Sequence, residues 1–296
     1  MAGSTVTRMD LATVMKRLRL EAGKVPLAAA THLDKSRQVI VRLEDGRPTS
    51  LSRPQIESLL DFYGASAEVR ASVLGLWNEV KKEDRERGDS RGFWTEYTDQ
   101  ISPQFDRYLR LEESADHIVA YHPVIVPGLL QGPDYRRAII KIDSSALSAV
   151  DMERRLELTA RRQVRLSEGD LRVEAFLSEA VLRNQVGGPF VMATQLRWVA
   201  ELSERANITV RIIEFGIPSH QGLTVSPFTR LGFPPGVSGL TKPSVVYVES
   251  AFAISYHERE PVVSRYEEAI SALRSVALTE TDTSEYLVRM AKEYAQ

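Results

Sequence analysis

The chain has no cysteine among its 296 residues. Disulfides, thiolate nucleophiles and cysteine-based zinc sites are therefore excluded, and the composition fits a reducing compartment. Histidine is scarce: His32, His117, His122, His220 and His257 are the five present, and none falls in a metal-binding spacing such as H-E-x-x-H. Neither a P-loop nor a nucleophile elbow is found. Gly236-Val237-Ser238-Gly239 lacks the G-x-S-x-G spacing, and Gly187-Gly188 is too short for a phosphate cradle. No apolar run approaches the roughly 18 residues that suggest a membrane span, and the first residues carry no apolar signal region. We therefore expect no enzyme activity, no cofactor, no metal and no membrane insertion, but a soluble, cytoplasmic protein.

What is present is enough apolar and charged residue, 43% and 26%, for at least one full core and two domains of unequal size. The net charge of -2 hides an asymmetry: residues 1–53 carry ten Lys or Arg against five Asp or Glu, leaving +5 on the head and -7 on the body. A basic head on an acidic body suits a protein that meets phosphate at one end only, because counterion release favours the basic face.

The first eighty residues read as five short helices. Leu11, Val14, Met15 and Leu18 share one helical face, and Gly23 stops it. Pro26 opens a second helix, rich in small residues from Leu27 to Leu33. Ser36 is an N-cap for a third, in which Ile40 and Leu43 face inward and which Gly46 ends. Ser52 and Pro54 open a fourth, with Ile56, Leu59, Leu60 and Phe62 before Gly64. Ser66 opens a fifth, striped by Val69, Val73, Leu74, Leu76 and Trp77. Two short helices joined by a tight turn can lay the second in the major groove.

Residues 81–92, Lys81 through Gly92, hold no apolar anchor and read as a charged linker or an extension of the fifth helix. Beyond them, 103–117, 151–167, 189–205, 261–277 and 284–294 read as helices and 178–184 as a short one. Residues 172–177, 208–215, 226–233 and 244–250 read as strands. The stretch 123–135, with its prolines and glycines, reads either as a buried connection with satisfied turns or as a rigid loop that lines a pocket or contacts a partner. The expected architecture is an all-α helix-turn-helix bundle over 1–80 and an α+β domain over 93–296.

The run from Met15 to Gly23, with Leu33 to Gly46 and Arg47-Pro48, resembles the lambda-repressor-like, XRE-type helix-turn-helix family. Leu18, Arg19, Gly23, Arg42, Leu43, Glu44 and Gly46 carry the likeness. Val41 departs from the Ser usual there, and Ala28 to Ala30 from a polar pair. The resemblance implies a structural ion pair between Arg19 and Glu44. By position, Arg37 and Gln38 are groove-facing, with Val41 and Arg42 one turn on; Arg reads guanine, Gln adenine, and Val touches a thymine methyl. Lys35, Ser36 and Arg47 are placed to hold phosphate.

Further along, Leu111-Glu112, Val126 to Gln131 with Asp134-Tyr135, Arg161-Arg162-Gln163, Glu179 to Arg183, Gln195-Leu196 and Val246 to Glu249 resemble the C-terminal domain of actinobacterial, WhiJ-like regulators. That domain has no known reaction. Gly132 and Arg136 depart from the Thr and Ala expected of it. The resemblance implies regulation, antitoxin-like, beside a small acidic partner protein.

Two functions follow. In one, a homodimeric regulator reads a palindromic operator on double-stranded DNA, and its larger domain receives a small-molecule effector or a partner. In the other, an antitoxin-like interaction protein binds DNA for autoregulation. The first predicts a closed pocket of several hundred Å³ and the second an exposed apolar patch. Pro127, Leu129, Leu130, Gln131 and Tyr135 are candidate ligand or partner contacts, as are Arg161 and Arg162 for an anion. Glu179 and Glu249 are expected to pair with Arg162 or Arg183.

Overall fold

The computed structural model describes residues 3–86, 92–144, 147–250 and 253–296. Contacts divide the chain into two compact units: Met1–Gly92 with Leu109–Ser114 and Phe233–Lys242, and Phe93–Tyr108 with Ala115–Gly232 and Pro243–Gln296.

The first unit is built on α1 (Gly3–Glu21), α2 (Pro26–His32), α3 (Arg37–Glu44), α4 (Arg53–Phe62) and α5 (Ala67–Glu86). Its core collects apolar side chains from all five helices. Leu11 and Met15 of α1 meet Ile40 of α3, Leu59 and Leu60 of α4, and Val73 and Trp77 of α5. Ala29 and Ala30 of α2 are fully buried, and their lack of bulk lets α3 approach closely. Of the stretch 81–92, α5 takes the part up to Glu86, and residues 87–91 lie outside those described.

The segment Phe233–Lys242 belongs to this helical unit although it stands far along the chain. Leu240 packs on the helical core. Asp10 of α1 is 6% exposed and accepts hydrogen bonds from the Ser238 backbone N at 2.9 Å and from its Oγ at 2.5 Å. A Cβ at Gly236 would collide with the Asp10 carboxylate, so the close approach requires glycine.

The second unit is an α+β fold on a mixed six-stranded sheet in the order β3-β2-β1-β4-β5-β6. The strands are β1 (His117–His122), β2 (Arg172–Ser178), β3 (Ile208–Ile213), β4 (Phe228–Gly232), β5 (Val245–Glu249) and β6 (Ile254–His257). Strands β1, β2 and β3 run parallel, and β4, β5 and β6 continue from β1 antiparallel. The helices are α6 (Pro103–Ser114, grouped with the first unit from Leu109), α7 (Pro133–Asp143), α8 (Ala149–Glu168), α9 (Glu179–Arg183), α10 (Pro189–Ser203), α11 (Glu260–Val276) and α12 (Glu280–Tyr294).

Three elements were not expected. The central strand β1 is one: the helix expected over 103–117 stops at Ser114, and residue 117 begins the strand. Strand β6 is another, with only four residues. The third is α7: the stretch 123–135 is not a single loop but holds a 3-10 turn at Gly128–Leu130 and the start of α7, with Pro133 in its first turn.

Strand alternation sorts side chains to the two faces of the sheet. Val119, Tyr121, Phe176, Phe228 and Val246 pack on one face with Val263, Ile270 and Leu273 of α11. Ile118, Ala120, His122, Val173, Thr229, Tyr247 and Glu249 point to the other, where a cavity lies.

Candidate nucleic-acid interface and C-terminal cavity

Four consecutive helices end in one hydrogen-bond pattern, which shapes the interface. Past α3, the Arg47 N–H donates to the Arg42 carbonyl at 2.8 Å and Gly46 N–H to Leu43 at 3.2 Å, with Gly46 at φ +65°. The same pair of bonds closes α1 at Gly23 and α4 at Gly64. At α2 the left-handed position is held by Asp34, φ 53°, with Lys35 N–H donating to Ala30 at 2.9 Å and Asp34 N–H to Thr31 at 3.1 Å. This is the turn between the two helices of the motif. Asp tolerates the left-handed region better than most residues with a side chain.

Within α3, Ile40 and Leu43 are buried while Arg37, Gln38 and Arg42 are exposed and Val41 is half-buried. Positions 37, 38, 41 and 42 fall on one face of a 3.6-residue helix. Lys35 and Ser36 are exposed just before it, and the Ser36 side chain makes no capping bond. No acidic residue stands in the first turn. One basic candidate is engaged with the chain itself. Arg42 donates from Nε and Nη2 to the Pro48 carbonyl at 3.2 and 2.9 Å. Arg47 is half-buried, with its Nε enclosed. Lys35, Ser36, Arg37 and Gln38 are exposed polar groups that remain to meet a duplex.

Arg19 donates from Nε and Nη2 to the two Glu44 oxygens at 2.6 and 2.8 Å, and from Nη1 to the Lys24 carbonyl at 2.6 Å. That hydrogen bond with Glu44 holds the guanidinium above its ordinary pKa against the opposing effect of burial. The pair ties α1 to the end of α3.

The second unit carries a cavity of about 840 Å³ that is open to solvent on one side, with Val124, Ile142 and Glu249 exposed at its rim, and so is not the closed pocket expected. Pro127, Leu129, Leu130 and Gln131 are all buried and line it, so they offer no outer surface to a protein partner. Tyr135 is buried behind them, its hydroxyl accepting from the Val126 N–H at 3.2 Å. Gln163 Nε2 donates to the Leu129 and Gln131 carbonyls at 3.0 and 2.8 Å, and Gln195 Nε2 to that of Leu130 at 2.8 Å. The segment is thus pinned by side-chain amides from α8 and α10.

The Arg161-Arg162 pair divides. Arg161 turns outward to Glu157 at 3.0 Å and Glu96 at 3.1 Å and lies over the Tyr97 ring. Arg162 is buried on the cavity wall, over Phe105 and Tyr108 at 5.5 and 5.6 Å from the ring centres. Glu179 pairs with Arg183 at 2.8 Å. Glu249 lines the cavity, where its negative charge acts on Arg136. Burial, reinforced by the positive charges of Arg162 and Arg155, pushes Arg136 down to about 10. Burial alone pushes His122 down to about 4, leaving it neutral at pH 7. Arg136, Arg155, His122 and Tyr247 were missed as site residues. The apolar run 117–122 carried no site signal, and only the sheet brings β1 and β5 to α7 and α8.

Residues 10–73 match a family model described as a helix-turn-helix domain. Residues 105–289 match one described as a domain of unknown function, DUF5753, over more than half of the chain. The chain belongs to the DUF5753 family. This member joins that domain to an N-terminal DNA-binding helix-turn-helix. No curated protein and no solved structure matches it. No helix of the described residues is long and apolar enough to cross a membrane. Among them, no group of three His, Cys, Asp or Glu side chains is arranged to hold a metal ion.

Proposed function

We propose that the protein is a transcriptional regulator of the XRE type that reads DNA with α3 and is controlled by a small effector in the cavity of its second unit. The observation that carries the first half is the exposed face of α3, with Arg37 and Gln38 projecting from a helix whose Ile40 and Leu43 are locked in the core. The second half is supported by the volume of the cavity, about 840 Å³, which lies in the range of ligand sites. The larger domain acts as a receptor, not as an enzyme. One eight-residue helix reads too few bases for useful specificity, so the protein works in the cytoplasm as a homodimer on a palindromic operator. An antitoxin-like role, with a small acidic protein docked on the second unit, takes over if the cavity binds nothing.

Genome-wide mapping of bound DNA in the source organism tests the DNA half. The wild-type chain is expected to give discrete peaks sharing an inverted repeat. Two base contacts at about 1–3 kcal/mol each make the Arg37→Ala, Gln38→Ala double variant about a hundredfold or more weaker on those sites. Peaks that persist in the double variant place the reading surface elsewhere.

A further inference from the structure

Three guanidinium groups reach the cavity of the second unit: Arg136 from α7, and Arg155 and Arg162 from α8. Seven residues make about two helical turns, so Arg155 and Arg162 share one face of α8. Two carboxylates, Asp143 and Glu249, line the same space, which leaves the cations in excess. Arg155 meets only neutral atoms among the hydrogen bonds identified, Gln100 Oε1 and Ser144 Oγ, both at 3.4 Å. Arg136 Nε is enclosed with no hydrogen-bond partner among the described residues.

Gln131 is built into the same wall. Its side chain is 2% exposed and lines the cavity; Nε2 donates to the Val126 carbonyl at 2.7 Å, while Oε1 has no partner among the described residues. Buried polar atoms in folded proteins are almost always hydrogen-bonded. Arg136 Nε and Gln131 Oε1 are both closed off from solvent, so they belong to the tightly packed wall, and the three guanidinium groups are what the cavity presents to a ligand. Much of the remaining wall, including Ile118, Ile139, Leu158 and Val173, is apolar. Loss of hydration pushes His122 down to about 4, so it is neutral at pH 7 and adds no further positive charge to the cavity.

We propose that the cavity takes an amphipathic organic anion, whose acidic group lies among Arg136, Arg155 and Arg162 and whose apolar body fills the space between the sheet and α7 and α8. The acidic group supplies acceptors for the guanidinium N–H donors, and charge-assisted bonds of this kind are about twice as strong as neutral ones. This inference rests on the effector reading above and narrows it to a chemical class.

Two fluorescent probes with the same aromatic body test it: 1-anilinonaphthalene-8-sulfonate, and N-phenyl-1-naphthylamine, which lacks the sulfonate. Each is titrated into the full chain at pH 7 without DNA, so that the outcome is independent of the operator reading. The sulfonate is expected to bind saturably at one site. Arg136→Gln should weaken it about tenfold or more and leave the neutral probe within about twofold, while Arg136→Lys retains most of the affinity. Far-UV circular dichroism checks the fold of each variant, and Arg155→Gln carries the same comparison if Arg136→Gln does not fold. Sulfonate binding that is indifferent to both substitutions overturns the proposal. So does saturable binding of the neutral probe alone, which leaves an effector site of another chemical class. Absence of binding by either probe overturns the effector reading with it.

Discussion

Arg19 is 6% exposed and Glu44 8% exposed at the side chain, and among the described residues neither has another ion-pair partner. Removing one strands the other in a buried place. Arg19→Met or Glu44→Leu should therefore cost about 3–5 kcal/mol, whereas the double variant should recover much of the loss, since two apolar groups leave no unpaired charge. Urea denaturation of the four proteins measures this, and singles as stable as wild type would show the pair to be idle. His122 sets a pH dependence. Its folded pKa, about 4, is below the ordinary value near 6.5, so the unfolded chain takes up a proton first as pH falls. Stability is intact above about pH 6.5 and declines by roughly 3 kcal/mol toward pH 4. His122→Gln should flatten that decline; an unchanged slope would assign it to other groups. Arg19 and Glu44 were legible because a motif spaces them. Arg161 and Arg162 were not separable, because neighbours on a helix point about 100° apart and only the packing of α8 says which one turns inward.

At the scale of elements, the helix ends carry the first unit. Gly46 and Gly64 both stand in the left-handed region, at φ +65° and +70°. A Cβ at Gly64 meets nothing, whereas one at Gly46 would run into the Met9 sulfur. Gly64→Ala should then cost about 1 kcal/mol of backbone strain, and Gly46→Ala distinctly more, with the N-terminal helices unfolding at lower denaturant. Equal effects would mean that Met9 moves aside freely. Asp34→Gly removes the strain at the turn and should be neutral or stabilising by less than about 1 kcal/mol. The helices of the first unit were readable from stop residues and from a stripe of apolar positions. Strand β1 was not: its four central residues are buried, so it shows no polar alternation to mark it as a strand. Likewise α7 hides behind Pro133, which reads as a loop residue although proline is well suited to a helix's first turn.

For the molecule as a whole, the most consequential departure from sequence order is the segment Phe233–Lys242, which supplies Leu240 and Ser238 to the helical unit. A fragment ending at residue 80 would leave the Asp10 carboxylate without the Ser238 N–H and Oγ, and part of the core without Leu240. It should unfold at lower urea than the same helices in the full chain, by about 1–3 kcal/mol for the carboxylate alone. Hydrogen exchange of the α1 amides reads this directly, and equal protection in both would make the segment dispensable. The amino-acid sequence by itself determined the helix-turn-helix, its polar face on α3, the basic head and the α+β character of the rest. These rest on local periodicity, stop residues and charge, which neighbours along the chain specify. Only the tertiary structure decided that His122, Arg136, Arg162 and Glu249 line one space, and that a distant loop completes the first unit. Such groupings depend on strand register and helix packing between residues far apart in the chain, for which no local pattern carries a mark.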